Sequence, residues 1–343
     1  MKKKVALLLV LAMVMFAFAA CGGGAAEETP AEETPAAGVV KTGMAVITSA
    51  AKSVDAGEKN GTAQADSLVA AVTVDAEGKI VKCVIDQAQT KIEFSKEGKI
   101  VTPLDTVFVA KKELGADYGM GKASGIGKEW NEQADAFAAY VAGKTVEEIK
   151  GIAVNEEGVP TEEDLTSSVT VHVTDFIAAI EKAVANAQEL GASADDKLGL
   201  GVVTNIAKSA DAAEKDGVAQ AYTYYTATTF QSDGVITSCI IDASQTNINF
   251  SKEGKITSDI NAEFQTKNEL GDAYGMKKAS SIGKEWNEQA NAFAQYVVGK
   301  TLDEVKGIAI EEGVPAGDDL KSSVTVHVTD FLTILEKAFN TAK

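Results

Sequence analysis

Two copies of one hydroxyl-rich heptapeptide carry the side chains best suited to chemistry in this chain of 343 residues. The first copy is Asp164-Leu-Thr-Ser-Ser-Val-Thr170 and the second is Asp319-Leu-Lys-Ser-Ser-Val-Thr325. A threonine hydroxyl can act as a nucleophile once a neighbouring group activates it. The alternative for each threonine is a solvent-facing β-branched residue that leads into a helix. Because the segment occurs twice, we favour the chemical interpretation.

Other reactive side chains are few, and they do not form a set of nucleophile, base and orienting acid in either copy. Cys83 and Cys239 alternate with apolar residues at strand spacing, which favours buried free thiols over redox cysteines. Acidic loops such as residues 156–164 lack the ordered ligand spacing of a calcium loop and indicate solvated surface. The sequence therefore predicts neither a metal site nor an acid–base catalytic centre.

The overall charge excludes one class of function. The formal net charge is −18, and all 32 basic residues are lysines. Nucleic-acid binding requires a basic face, so we expect no nucleic-acid partner. The 45% hydrophobic content is enough for two ordinary cores.

The N-terminus has the pattern of an export signal. Residues 1–20 combine three lysines, an apolar stretch and small residues, and Cys21 follows them. This arrangement resembles a bacterial lipobox, which implies lipidation of Cys21 and attachment to the outer face of the cell membrane. Residues 21–43 are rich in Gly, Glu, Thr and Pro and predict a disordered tether.

The rest of the chain is a tandem repeat. Phe94-Ser-Lys-Glu-Gly-Lys-Ile100 recurs as Phe250 to Ile256, and Gly127-Lys-Glu-Trp-Asn-Glu-Gln-Ala134 recurs as Gly283 to Ala290. The period is far longer than that of a solenoid repeat, which indicates two whole domains. We place the domains at residues 44–188 and 202–343, with a linker at 189–201.

Strand patterns precede helix patterns in each repeat. Leu68 to Val74 and Ile80 to Ile85 flank a turn and predict a hairpin. Apolar residues at helical spacing then predict one helix that contains Trp130 and a second that starts near Thr174, with Thr174 and Asp175 supplying capping chemistry. The fold class predicted is α+β, with an antiparallel sheet and packed helices in each repeat.

The heptapeptides, followed by a helix, resemble the flavinylation motif of the FMN-binding domain family. The Glu-Leu-Gly-x-x-Tyr-Gly-Met and Gly-Lys-Glu-Trp-Asn-Glu-Gln segments of both repeats, and the lipobox, resemble those of two-domain flavinylated lipoproteins of bacterial extracellular electron transfer. In that family the last threonine becomes a phosphoester of FMN when an extracytosolic FMN transferase uses FAD. The resemblance implies that Thr170 and Thr325 are the acceptors. The matching motif positions are Asp164, Ser167, Ser168, Asp319, Ser322 and Ser323.

Other residues could contact a flavin held in this way. The Tyr-Gly-Met turns place Tyr118 and Met120, or Tyr274 and Met276, where close backbone approach would allow contact with the ring. His172 and His327 follow the acceptors by two residues and could donate to the phosphate, although a structural role is equally compatible with their positions. Trp130 and Trp286 are expected in the cores, because they belong to helical apolar stripes.

The resemblance implies an electron carrier rather than a catalyst with its own acid–base site. Two covalent FMN groups would accept electrons from a membrane quinol-linked donor and pass them to extracellular acceptors such as ferric iron. A ferric reductase activity is compatible with this interpretation. Two alternatives are a solute-binding or adhesion lipoprotein without a redox cofactor and a reductase with its own substrate pocket.

Overall fold

Each repeat begins with three long antiparallel strands in the computed structural model, which describes residues 38–343. The predicted signal peptide, Cys21 and most of the predicted tether lie outside the described residues. Within residues 38–343, no helix is both long and apolar enough to span a bilayer. In the first repeat the strands are β1 (Lys41–Ser49), β2 (Gly61–Val74) and β3 (Ile80–Phe94), and in the second they are β4 (Lys197–Asn205), β5 (Gly217–Phe230) and β6 (Ile236–Phe250).

Five α-helices follow the sheet in each repeat, together with one 3-10 helix, Gly115–Tyr118 in the first and Gly271–Tyr274 in the second. The first repeat has α1 (Lys111–Leu114), α2 (Trp130–Val141), α3 (Val146–Lys150), α4 (Glu163–Thr166) and α5 (Thr174–Ala185). The second has α6 (Lys267–Leu270), α7 (Trp286–Val297), α8 (Leu302–Lys306), α9 (Asp318–Lys321) and α10 (Thr329–Thr341), with a two-stranded ribbon, β7 (Ile310–Glu311) and β8 (Val314–Pro315), before α9. The α+β class, the hairpins and the two main helices of each repeat are confirmed.

Both faces of the first sheet are buried, which explains the nearly continuous apolar run of β2. Leu68, Ala70 and Val72 face α2 and α5, whereas Val69 and Ala71 face the second repeat. Successive side chains of a strand point to opposite faces, so burial on both sides replaces the usual alternation of apolar and polar residues. Each repeat therefore has its own core on one face of its sheet and shares a core with the other repeat on the opposite face.

The repeated Phe-Ser-Lys-Glu-Gly-Lys-Ile segments form a reciprocal contact between the two repeats. The rings of Phe94 and Phe250 stack with centroids 4.4 Å apart. Asp211 accepts a hydrogen bond from the backbone N–H of Ile100, and Asp55 accepts the equivalent bond from Ile256, each at 2.8 Å. The main-chain N–H of Ala56 likewise donates to the second repeat, and that of Ala212 to the first. The described residues, 38–343, consequently form one compact body.

Glycine is required where these two segments approach each other. Gly98 and Gly254 both have positive φ, at 68° and 69°. A Cβ atom on Gly98 would lie 2.7 Å from the Cα of Lys252, and one on Gly254 would lie 2.7 Å from the Cα of Lys96. The absence of a side chain therefore permits both the left-handed conformation and the close packing.

Two predicted boundaries are wrong. The predicted tether extends to residue 43, but Val40 is buried and β1 begins at Lys41. The predicted linker covers residues 189–201, but β4 begins at Lys197 and buries Leu198 and Leu200 against the first repeat. Both misplaced strands contain glycines that weaken the local strand pattern, and only pairing with the neighbouring long strand identifies them.

Candidate functional site

In each repeat, the main-chain N–H and the hydroxyl of the predicted acceptor threonine both donate to one buried glutamine. The main-chain N–H of Thr170 donates to Gln133 Oε1 at 2.8 Å, and the Thr170 hydroxyl donates to the same oxygen at 3.2 Å. In the second repeat, Thr325 makes the same two bonds to Gln289 Oε1, at 2.8 and 3.1 Å. Both threonines are half-buried. The hydroxyls are thus held in fixed, equivalent positions at the protein surface.

The side-chain amide nitrogen of each glutamine is also hydrogen-bonded, which fixes the orientation of the amide group. Gln133 Nε2 donates to Ser124 Oγ at 3.1 Å and to the carbonyl oxygen of Lys128 at 3.0 Å. Gln289 repeats this pattern with Ser280 and Lys284, each at 3.2 Å. Neither glutamine has any exposed surface. Because both ends of the amide are bonded, the carbonyl oxygen must face the threonine.

A glutamate at the start of the same helix fixes the Tyr-Gly-Met turn. Glu129 precedes α2 and accepts a hydrogen bond from the backbone N–H of Met120 at 2.8 Å. Glu285 holds Met276 in the same way, also at 2.8 Å. The turn predicted to contact a flavin and the acceptor threonine are therefore both anchored to the N-terminal part of one helix.

The valine before each acceptor threonine anchors the acceptor segment to the core of its repeat. Val169 and Val324 are buried in the cores of their repeats, at 0% and 1% exposure. Ser168 and Ser323 turn back and donate their hydroxyls to the carbonyl oxygens of Leu165 and Leu320. The valine at this motif position thus serves packing, and the threonine is the motif residue that remains available.

Backbone N–H groups close to the threonine lack acceptors. Within the described residues, the N–H groups of Val171 and His172 donate to no protein acceptor, and the same holds for Val326 and His327. The helix α5 begins two residues later without a side-chain cap. The predicted capping role of Thr174 and Asp175 is wrong, because Val173 occupies the cap position. These N–H groups lie just before the cap residue and, together with the first-turn N–H groups of α5, favour a nearby anion.

The remaining motif residues are less closely involved. Ser167, Ser322, His172 and His327 are exposed. Asp164 and Asp319 are also exposed, and Asp319 accepts a hydrogen bond from the hydroxyl of Tyr296 at 2.7 Å. In the first repeat the equivalent tyrosine, Tyr140, donates instead to Glu162. The structure therefore links the threonines, the buried glutamines and the Tyr-Gly-Met turns through one helix in each repeat, whereas the side chains of the aspartates, outer serines and histidines make no hydrogen bond to the threonines.

A buried lysine lies beneath each Tyr-Gly-Met turn. Lys111 Nζ is 4.6 Å from the ring centroid of Tyr118 and 4.9 Å from that of Trp130. Burial lowers the pKa of Lys111 to about 8. Lys267 Nζ is 4.3 Å from the centroid of Tyr274 and 4.8 Å from that of Trp286, and burial lowers its pKa to about 7. Tyr118, Met120, Tyr274 and Met276 are half-buried against the cores.

The tryptophans and Cys239 are buried in the cores, as predicted, whereas Cys83 is only half-buried against the first core. Trp130 is 5% exposed and meets Phe176 edge to face at 5.7 Å, and Trp286 packs in the same way on Phe331. Both cysteines are free. Burial raises the pKa of the Cys239 thiol to about 11, which opposes thiolate formation.

The sequence interpretation missed two pairs of site residues. Gln133 and Gln289 interrupt the apolar stripe of a helix at the same repeated position, and a polar residue on a buried face indicates a hydrogen-bonding role. Lys111 and Lys267 precede the Glu-Leu-Gly segments in short helices whose hydrophobic pattern is too brief to show that the first residue is buried.

Comparison with known proteins gives one partial likeness. No family model and no solved structure matches the chain. A stretch of 43 residues is 54% identical to a chlorophenol reductase of Desulfitobacterium hafniense. The match covers 12% of this chain and 13% of that protein. The chain therefore spans about an eighth of the length of the curated relative it matches.

Proposed function

We propose that this protein is a lipid-anchored electron carrier with one covalent FMN on Thr170 and another on Thr325. Cys21 holds it at the outer face of the cell membrane. It takes electrons from a membrane quinol-linked donor and delivers them to extracellular acceptors such as ferric iron. An extracytosolic FMN transferase installs both groups. The observation that carries the proposal is the identical pair of threonines, each bonded to a buried, doubly oriented glutamine.

The threonine sites fit a phosphoester. Attachment forms the bond between the threonine Oγ and the phosphorus as the pyrophosphate bond of FAD breaks, AMP leaves and the hydroxyl proton passes to the transferase. Gln133 would then lose the hydroxyl donor, but the Thr170 N–H, which is 2.8 Å from Gln133 Oε1 in the structure, would still be available to anchor the acceptor segment. The unpaired N–H groups of Val171 and His172 provide donors for the phosphate oxygens.

The surroundings of the threonine also suit a flavin ring. When bound, FMN supplies the uptake and release of electrons. Tyr118 and Met120 are half-buried and apolar, and Glu129 fixes their turn relative to the helix that orients Thr170. These residues would orient the ring and exclude water from one of its sides. A covalent bond suits an exported protein, because a free cofactor would be lost by dilution.

The packing of the two repeats supports a relay. The stacked phenylalanines and the reciprocal aspartate contacts join both repeats in one compact body. The separation between Thr170 and Thr325 is therefore set by the fold rather than by a flexible linker. The partial likeness to a chlorophenol reductase is too short to transfer a substrate to this chain.

The proposal is tested by intact mass and peptide mapping of the chain produced with and without an FMN transferase. We expect a mass increase of two FMN units only with the transferase, and a loss of one unit in each of Thr170→Ala and Thr325→Ala. Thr166→Ala, which changes an exposed threonine of α4, is the matched control and should retain both groups.

Electron transfer is tested with the same preparations. The loaded chain, once reduced, should reduce ferric iron in proportion to its flavin content, and the double variant should not. Bare threonines in the chain purified from a host that contains the transferase would refute the proposal. Saturable binding of a solute by such an unmodified chain would favour the solute-binding alternative.

A further inference from the structure

Lys111 and Lys267 are lysines buried without a salt-bridge partner among the described residues. Their exposed fractions are 6% and 2%. Neither forms an ion pair with any carboxylate of residues 38–343. Each instead lies against aromatic rings, which stabilise an ammonium group only modestly. A buried charge is costly unless it is compensated, so such a lysine is expected to have an anionic partner.

The position of each lysine connects it to the acceptor threonine. Lys111 lies over Trp130, the first residue of α2, and over Tyr118. Gln133, which binds Thr170, is three residues after Trp130 and thus on the same face of that helix. The ammonium group is therefore beneath the turn that would contact a flavin attached to Thr170. Lys267, Trp286 and Gln289 repeat this arrangement for Thr325.

The two lysines differ in one neighbour, because Asp66 of the first repeat corresponds to Tyr222 of the second. Asp66 is buried, and its carboxylate binds Lys52 at 3.0 Å and the Gln64 amide at 2.9 Å. Its negative charge also acts on Lys111. Tyr222 is neutral, and its hydroxyl accepts a hydrogen bond from Lys267. The equivalent buried carboxylates Asp86 and Asp242 act on Lys111 and Lys267 alike. Asp66 is therefore an additional negative charge that only the first repeat has, and the largely exposed Lys52 does little to cancel it.

We propose that Lys111 and Lys267 set the reduction potentials of the two flavins, and that the exchange of Asp66 for Tyr222 gives the flavin on Thr325 the higher potential. This inference rests on the proposed function. Reduction adds negative charge to a flavin, and a buried cation nearby stabilises that charge. The lysines act as positioning and electrostatic residues, and they do not take part in any bond change.

The potential difference directs electrons from the first repeat to the second. In the equilibrium between the two sites, two electrons and one proton would leave the reduced, anionic cofactor on Thr170 and be taken up by the oxidised cofactor on Thr325, which would become anionic in turn. One cofactor is oxidised and the other is reduced, so no further reactant is needed. The second repeat then becomes the site from which an external acceptor is reduced.

The experiment measures each flavin separately by redox titration of the full chain. Thr170→Ala leaves only the second flavin, and Thr325→Ala leaves only the first. We expect the reduction potential of the flavin on Thr325 to be higher by at least about 30 mV, which corresponds to a tenfold factor in the two-electron equilibrium constant. In the Thr170→Ala chain, Lys267→Met should lower the potential, whereas the charge-preserving Lys267→Arg should largely restore it.

A second pair of variants makes the test independent of the lysine itself. Asp66→Asn in the Thr325→Ala chain should raise the potential of the first flavin, and Tyr222→Asp in the Thr170→Ala chain should lower that of the second. Equal potentials for Lys267→Met and Lys267→Arg, or a higher potential on Thr170 in the unaltered repeats, would overturn the inference while the covalent flavins remain in place. Absence of covalent flavin from every preparation would instead overturn the proposed function, and this inference with it.

Discussion

The buried glutamine offers the sharpest test of how the threonine site is built. Gln133→Leu keeps a side chain of similar size but removes all four hydrogen bonds, namely those to Ser124, to the Lys128 carbonyl oxygen and to the N–H and hydroxyl of Thr170. A net hydrogen bond contributes about 0.5–1.5 kcal/mol. Because the threonine is only half-buried and can rebind water, we expect the free energy of unfolding to fall by about 2–4 kcal/mol.

The effect on flavin attachment follows from one of these bonds. The hydrogen bond from the Thr170 N–H to Gln133 holds the acceptor segment in place and stabilises that position by about 1–1.5 kcal/mol. A free-energy difference of about 1.4 kcal/mol corresponds to about a tenfold change in an equilibrium constant. We therefore expect the initial rate of FMN attachment to Thr170 to fall about tenfold in Gln133→Leu, while attachment to Thr325 is unchanged.

The assay is peptide mapping by mass spectrometry during a timed reaction with the transferase and FAD. The second repeat is the internal control, and Gln289→Leu should produce the reverse pattern. Equal loss at both threonines would indicate general unfolding. Unchanged attachment at Thr170, in a variant that retains the native fold, would refute the reasoning that the glutamine positions the acceptor.

Three further predictions concern the scaffold. Phe94→Ala should lower the free energy of unfolding by about 3–5 kcal/mol, and urea denaturation should show both repeats unfolding in a single transition. Unfolding of one repeat before the other would contradict the shared core. Burial raises the pKa of Asp242 from 3.8 to about 7. Between these two pH values the folded chain keeps a proton on Asp242 that the unfolded chain releases, so the free energy of unfolding falls as the pH rises. Asp242→Asn should flatten that fall, whereas Asp233→Asn, at an exposed turn, should leave it unaltered. Cys239 should resist iodoacetamide at about pH 8 in the native chain and react after unfolding, and rapid native alkylation would contradict its burial.

Sequence patterns alone determined much of the fold. The β2–β3 and β5–β6 hairpins, the helix that contains Trp130 and the helix that starts at Thr174 were predictable because strand and helix periodicities are local properties. The duplicated heptapeptide likewise marked Thr170 and Thr325 as candidates without any structure. The reason is the same in both cases, since the signal is contained in short stretches of neighbouring residues.

Only the tertiary structure decided how these parts act together. It showed that Gln133 holds Thr170 although 37 residues separate them, and that Lys111 is buried beneath aromatic rings rather than solvated. It also showed that the repeated Phe94 and Phe250 segments join the two repeats. Such contacts depend on which faces of distant elements meet, and no local periodicity encodes that choice.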